Sequence, residues 1–521
     1  MFDYRGFIII ICLYCISCAN IQGISGGPED KKPPVLVEHN SSPNYQVNFK
    51  DKEIVLAFDE WIKMDNPFGN ISISPPTEFP VEYKLKGKRV IIQFDEREQL
   101  KEKTTYTIQF GESIKDITSG NVQRTLRYVF STGDFVDSLI IRGKVVDGFT
   151  KKSKDKILVS LYKLLDDTAF QKIKPFYFSW TDTAGRFVME NLSPGTYNLF
   201  ALEDKNQNYF FDQTNEAFAF LPQSIEISDS SIQEFLLNVS TASIPLLIKD
   251  RKIKPGEIRF YFNAKLSRFK LNCDIHDSIK YVNLKDSLLV WNYGSHEANC
   301  ILDYENKKDT FKVQSFELPL NDSIKIIRLD KTLLKPGEQP TFIMNYPIVN
   351  IIKDSLQLLD SFSMINNIKL DSSDPRIFHL SGDFPLNNQH KLVIQENAVQ
   401  GLHHTTNQSD TFAFRYLDKS SLARLNLNIE NLQLNLPYIF QLLNGEIVNA
   451  EFNFEATEPN KKMFFNNLYP GNYRVRLIYD INKNEKWDPA DYVNKIQAEQ
   501  IWYFDLPDLR ADWDVDVSIK L

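Results

Sequence analysis

Apolar residues recur along this chain at alternate positions in short runs, with turn-forming residues between the runs. Ile54-Val-Leu-Ala-Phe58, Val90-Ile-Ile-Gln-Phe94 and Tyr106-Thr-Ile-Gln-Phe110 each read as a strand. His390-Lys-Leu392-Val-Ile394 and Asp410-Thr-Phe412-Ala-Phe414 repeat the pattern, and Arg510-Ala-Asp-Trp513-Asp-Val-Asp-Val alternates as a closing strand should. Long amphipathic helices are absent from the pattern. It predicts an all-β chain of tandem β-sandwich domains in an elongated array. The beginning is different. Phe7 to Ser17 is continuously apolar, too short for the roughly 20 residues of a spanning helix but right for a secretory signal. We place a signal peptide at 1–17. Gly, Ser and Pro dominate residues 18–33, a flexible tether with a mean reach of about 20 Å. No later stretch is apolar enough for a second anchor.

Composition narrows the reading. The chain has 521 residues, room for several cores. Its formal charge is −8 with acids and bases interspersed, which argues against a nucleic-acid partner. The 38 Phe and 22 Tyr suit strand-rich sandwiches. Beyond the signal only Cys273 and Cys300 could pair. They form either a disulfide, which an exported compartment permits, or two small buried thiols.

Several segments resemble known families. Cys18 follows the small residue Ser17 at the end of the apolar run and resembles the lipobox cysteine of bacterial lipoproteins. The resemblance implies cleavage before Cys18 and acylation of that residue, although Cys15 stands where Leu is usual and Arg5 is offset by Asp3. Pro33-Pro34-Val35, Ile54 to Glu60, Tyr106-Thr-Ile108, Lys115-Asp116-Ile-Thr-Ser-Gly120-Asn121 and Phe130-Ser-Thr-Gly133 together resemble the S-layer-type bacterial Ig-like domain, placed at 34–135. Asp116 and Gly120-Asn121 sit where a strand must turn. Thr181-Asp182-Thr-Ala-Gly185-Arg-Phe187 and Asn191-Leu192-Ser-Pro194-Gly195-Thr-Tyr197 resemble the carboxypeptidase-regulatory or prealbumin-like sandwich, a noncatalytic fold, placed at 136–242. Asn467-Leu468-Tyr-Pro470-Gly471-Asn-Tyr473 repeats its second motif at an offset of 276 residues, and Asp480 follows Asp204 at the same offset. A second prealbumin-like sandwich therefore occupies 420–521. Between the copies we expect an all-β insert at 243–318 and a degenerate Ig-like domain at 319–419.

Two loops are the best candidates for chemistry. Asp204, Asn206, Asn208 and Asp212 stand at positions 1, 3, 5 and 9, as do Asp480, Asn482, Asn484 and Asp488. That is the spacing by which a Ca²⁺ loop converges hard oxygen ligands on one cation. Position 6, usually Gly, is Tyr209 or Glu485; position 12, usually Glu, is Asn215 or Asp491, with Glu216 one step later in the first copy. We expect a structural Ca²⁺ in at least one loop, with Asp491 favouring the second; the alternative is that the side chains only make local turns. Trp487 lies within the second loop and is the candidate recognition aromatic.

Other patterns point nowhere. Gly23-Ile-Ser25-Gly-Gly27 lies in the tether, without the strand and helix a nucleophile elbow needs. His403-His404 sits in a polar stretch without zinc spacing, and carboxylate pairs such as Asp59-Glu60 and Asp166-Asp167 carry no facing geometry by themselves. Asp-Ser-aliphatic triplets, among them Asp137-Ser138-Leu139 and Asp286-Ser287-Leu288, resemble an O-glycosylation acceptor but also suit strand ends. The expectation is a non-catalytic structural or interaction lipoprotein of the bacterial outer membrane, on its periplasmic face, with an envelope protein partner. The alternative is a glycan- or peptide-binding envelope module.

Overall fold

The computed structural model describes residues 30–163, 168–228, 232–275, 278–305, 307–315, 323–401 and 405–521. The signal peptide, Cys18, most of the tether, Asp166-Asp167 and His403-His404 lie outside them. The chain divides into two compact units; the first runs to Ala242 and also includes Ala490–Gln497, and the second holds Ser243–Pro489 and Ala498–Leu521. No helix among the described residues is long and apolar enough to cross a membrane. The fold is all-β.

In the first unit, Glu53–Ala57, Arg89–Gln93 and Glu82–Lys86 form one sheet, and Ser72–Ser74, Thr105–Gln109 and Arg127–Ser131 another. Their alternating faces enclose a core of Ile54, Leu56, Val90, Ile92, Tyr106, Ile108 and Phe130. The turn after Ile114–Asp116 forms as its residues dictate: the Asp116 carboxylate accepts the Gly120 and Asn121 N–H groups at 3.0 and 2.8 Å, and Gly120 has φ +76°. These hydrogen bonds pull the Asp116 carboxyl below its ordinary range, against a desolvation that is its largest single influence.

The second domain of this unit has a recognisable wiring. Leu139–Asp147 pairs antiparallel with Arg186–Leu192 and parallel with Gln233–Thr241. Leu158–Tyr162 lies between Tyr177–Trp180 and Gly195–Leu202. The C-terminal sandwich has the same wiring. Ala423–Glu430 pairs antiparallel with Lys461–Leu468 and parallel with Asp514–Lys520, and Pro437–Asn444 lies between Ile447–Glu455 and Tyr473–Tyr479. The shared motif has one structural role in both copies. Asn191 and Asn467 both take φ +60°, and Gly195 and Gly471 take +155° and +142°, conformations that favour Asn and Gly. The turn delivers Tyr197 and Tyr473 into the cores, where each hydroxyl donates to the carbonyl four residues back, Ser193 at 2.8 Å and Tyr469 at 3.0 Å.

In the second unit, residues 243–315 form a four-stranded and a three-stranded sheet around Phe260, Val290, Leu302 and Val313. Cys273 and Cys300 stand directly opposite on Phe269–Cys273 and Ala298–Tyr304 and are disulfide-bonded. Residues 323–419 carry two four-stranded sheets over a core that includes Phe342, Phe378, Leu392 and Phe414. Here Gln389–Ile394 pairs antiparallel with Asp410–Tyr416, placing His390 opposite Phe414. In the first domain Tyr106 stands opposite Phe130 in the same way. Both rings reach back five residues, His390 Nε2 to the Pro385 carbonyl at 3.0 Å and the Tyr106 hydroxyl to the Lys101 N–H at 2.8 Å.

Candidate functional site: the paired Asp/Asn loops

Each loop leaves the strand that follows the shared Gly-x-Tyr turn. Asp204 accepts the Asn208 and Tyr209 N–H groups at 3.2 and 2.9 Å; Asp480 accepts those of Asn484 and Glu485 at 3.0 and 2.9 Å. The carboxamides of Asn206 and Asn208 both donate to Asp212, at 3.1 and 2.6 Å. Those of Asn482 and Asn484 donate to Asp488 at 2.5 and 2.6 Å. Residue for residue, the two loops are one structure. Position 6 needs no glycine: Tyr209 and Glu485 adopt φ of +71° and +65°, the hydrogen bonds to Asp204 and Asp480 compensating for the left-handed backbone.

The twelfth position resolves differently from the sequence expectation. Glu216 is fully buried and accepts the Lys205, Asp212 and Gln213 N–H groups at 3.2–3.3 Å. Its counterpart is not Asp491. Glu499 accepts the Ile481 and Asp488 N–H groups at 2.8 and 3.0 Å, the same backbone positions moved by 276 residues. Asp491 belongs to the first unit and closes its own turn onto Asn494. The neighbouring Tyr492 packs its ring against Phe170, Phe200 and Phe220 of that unit. The excursion through 490–497 displaces the second Glu from the constant offset, and allowing for such an insertion is the signal that finds Glu499.

Burial pushes the Glu499 carboxyl up to about 7, with Asp488 and Asp480 adding to the rise. Burial also raises Asp204. Among the described residues no three His, Cys, Asp or Glu side chains are grouped to share a metal ion; the loops offer carboxylate and carboxamide oxygens together.

Trp487 is half-buried, and its indole N–H donates to the Glu499 carbonyl at 2.9 Å. The ring is a brace for the loop, not an open platform. Trp291 is buried with its N–H on Glu257, whereas Trp61 and Trp513 are the exposed ones. Of the acceptor-like serines, Ser138 is exposed and Ser287 is buried, so folding covers Ser287 against modification.

Two histidine clusters have the composition of a triad without its wiring. Ser363 and Asp360 both meet Nδ1 of His390, and Nε2 is taken by the Pro385 carbonyl. His379 does bridge Thr341 and Asp371 through opposite ring nitrogens, but the Thr341 hydroxyl donates to the Gln339 carbonyl at 3.0 Å. Neither leaves a nucleophile poised to lose its proton to the ring.

Residues 30–132 match the sequence model of the bacterial Ig-like domain. No curated protein matches the chain. Among solved structures it is similar to BcpA, the major pilin subunit of Bacillus cereus, at 9% identity over 74% of this chain and 99% of that one, TM-score 0.16. It is similar to surface layer protein SbsC, domains 1–6, at 11% identity over 84% of this chain and 65% of that one, TM-score 0.16. A third is the Bacteroides ovatus mixed-linkage glucan utilization locus protein SGBP-B, in complex with a mixed-linkage heptasaccharide, at 10% identity over 71% and 93%, TM-score 0.19. Likenesses this distant carry no functional weight.

Proposed function

We propose that this chain is a non-catalytic interaction protein of the bacterial outer membrane, acylated at Cys18 and held on the periplasmic face. Two or more acyl chains hold a protein stably, whereas one binds only marginally. The observation that carries the interaction role is the edge strand Ile447–Glu455. It is the outermost strand of its sheet, and Ile447 (72% exposed), Val448 and Phe452 stand in solvent along it. An exposed edge strand that carries apolar side chains is a template for strand addition by a partner, and proteins that recruit none blunt such edges. Crosslinking in intact cells followed by mass spectrometry tests this. We expect a reproducible envelope protein whose capture falls at least tenfold when Phe452→Lys places a charge on the edge. Equal capture by wild type and variant contradicts the role of this edge.

We also propose a structural Ca²⁺ in the paired loops, held by Asp204, Asn206, Asn208 and Asp212 in one and by Asp480, Asn482, Asn484 and Asp488 in the other. Each loop brings together two carboxylates and two carboxamides, side chains whose oxygens are the hard ligands such a cation takes. Chelated and Ca²⁺-loaded protein differ in a sign. Without metal, Glu499 has a folded-state value of about 7 against an ordinary 4.5. The folded chain therefore binds a proton that the unfolded chain releases. That stabilisation is complete below about pH 4.5 and is lost as pH rises through about 7. We expect the chelated protein to lose on the order of 1–2 kcal/mol between pH 5 and 8, after discounting for water at the loop, and Glu499→Gln to flatten the loss. Ca²⁺ favours the carboxylate and removes the loss in wild type. Melting curves unchanged by Ca²⁺, in wild type and in Asp480→Ala with Asp488→Ala, contradict the metal.

A further inference from the structure

The outer face of the C-terminal three-stranded sheet has a composition that its counterpart in the first copy lacks. On it, Arg424 is ion-paired with Asp514 at one end and Glu430 with Lys520 at the other. Two rows lie between. In one, Phe464, Asn426 and Asp516 stand side by side on adjacent strands; in the next, Lys462, Asn428 and Ser518 do. These six side chains line a shallow groove. The Phe464 ring is 70% exposed, and Asn426 donates to Asp516 at 2.8 Å. Asn428 donates to Glu430 at 3.0 Å, and its Oδ1 is out of solvent without a donor. Reversing that carboxamide would set its oxygen against the Glu430 carboxylate, so the orientation is fixed and the floor of the groove keeps an unsatisfied acceptor.

We propose that this face binds a neutral saccharide. Lys462 and Asp516 cancel in charge, which disfavours phosphate, nucleic acid and acidic peptides. An exposed aromatic ring beside carboxamide, carboxylate and hydroxyl groups offers both things a pyranose presents. Its C–H face packs on the ring, and its vicinal hydroxyls pair with planar groups that donate and accept. The first sandwich is the internal control. At the equivalent registers it places Val188, Arg142 and Glu234, then Arg186, Lys144 and Leu236, and Arg142 is ion-paired with Glu234. That face has the fold without the aromatic ring or the carboxamides.

The test is affinity electrophoresis of the purified full chain in gels containing mixed-linkage β-glucan, xylan, mannan or glycogen. We expect at least one polymer to retard wild type. Phe464→Ala and Asn426→Ala should each weaken that retardation about fivefold or more, the scale of one lost aromatic contact or hydrogen-bond pair. Val188→Ala should leave it unchanged. Because Phe464 is exposed, its alanine variant keeps the fold, which a melting curve verifies. No retardation by any of the four polymers overturns the proposal, and so does retardation that Phe464→Ala leaves intact. Neither result bears on the partner edge at Ile447–Glu455 or on the acylation of Cys18.

Discussion

Glu216→Ala lowers the stability of its loop by about 2–4 kcal/mol, because three backbone N–H groups lose one buried acceptor together. Lys205, Asp212 and Gln213 are those donors, and the side chain they share is fully withdrawn from solvent. Because the chain has several cores, the effect is best read locally, by hydrogen exchange at 205–213. We expect exchange there to accelerate at least thirtyfold while the amides of Glu53–Ala57 are unchanged. Glu216→Gln keeps one acceptor oxygen and should lose roughly half as much. Unchanged exchange in the alanine variant would mean that water replaces the carboxylate without cost.

Removing the disulfide has an effect of similar size with a different cause. Cys273 and Cys300 are 27 residues apart, and closing a loop of that length restricts the unfolded chain by about 3–4 kcal/mol. Cys273→Ser with Cys300→Ser should therefore shift urea unfolding of residues 243–315 by that amount, with Trp291, buried in this domain, as a fluorescence reporter. The first unit should be unaffected. A shift below about 1 kcal/mol would indicate that the paired strands already hold the loop in the unfolded ensemble.

Much of the architecture was legible because it rests on short-range chemistry. The alternation of Ile54, Leu56 and Phe58 and the turn at Asp116 and Gly120-Asn121 depend on near neighbours, and both form as predicted. The repeat was legible because Asn191, Gly195 and Tyr197 are each demanded by backbone conformation or by a buried hydroxyl, as are Asn467, Gly471 and Tyr473. What the sequence hid depends on where a segment travels. Asp491 reads as the closing ligand of its loop, but Tyr492 beside it packs with Phe170 and Phe200, and the closing carboxylate comes from Glu499 after the excursion. Trp487 reads as exposed because its neighbours are polar; its N–H finds a carbonyl twelve residues away. Phe464 was passed over because one Phe in an alternating strand has no local mark of facing solvent. Only the register against Asn426 and Asp516 gives it neighbours of a kind that matter.

We propose that Cys18 is the lipid anchor for a chain of β-sandwich modules. Cells fed an alkyne-tagged palmitate and fractionated test it most directly, comparing wild type with Cys18→Ala. The account predicts label on the wild-type protein in the outer-membrane fraction, protected from added protease in intact cells, and an unlabelled variant released into the soluble fraction. An unlabelled wild type, or a Cys18→Ala protein that stays with the membrane, would contradict it.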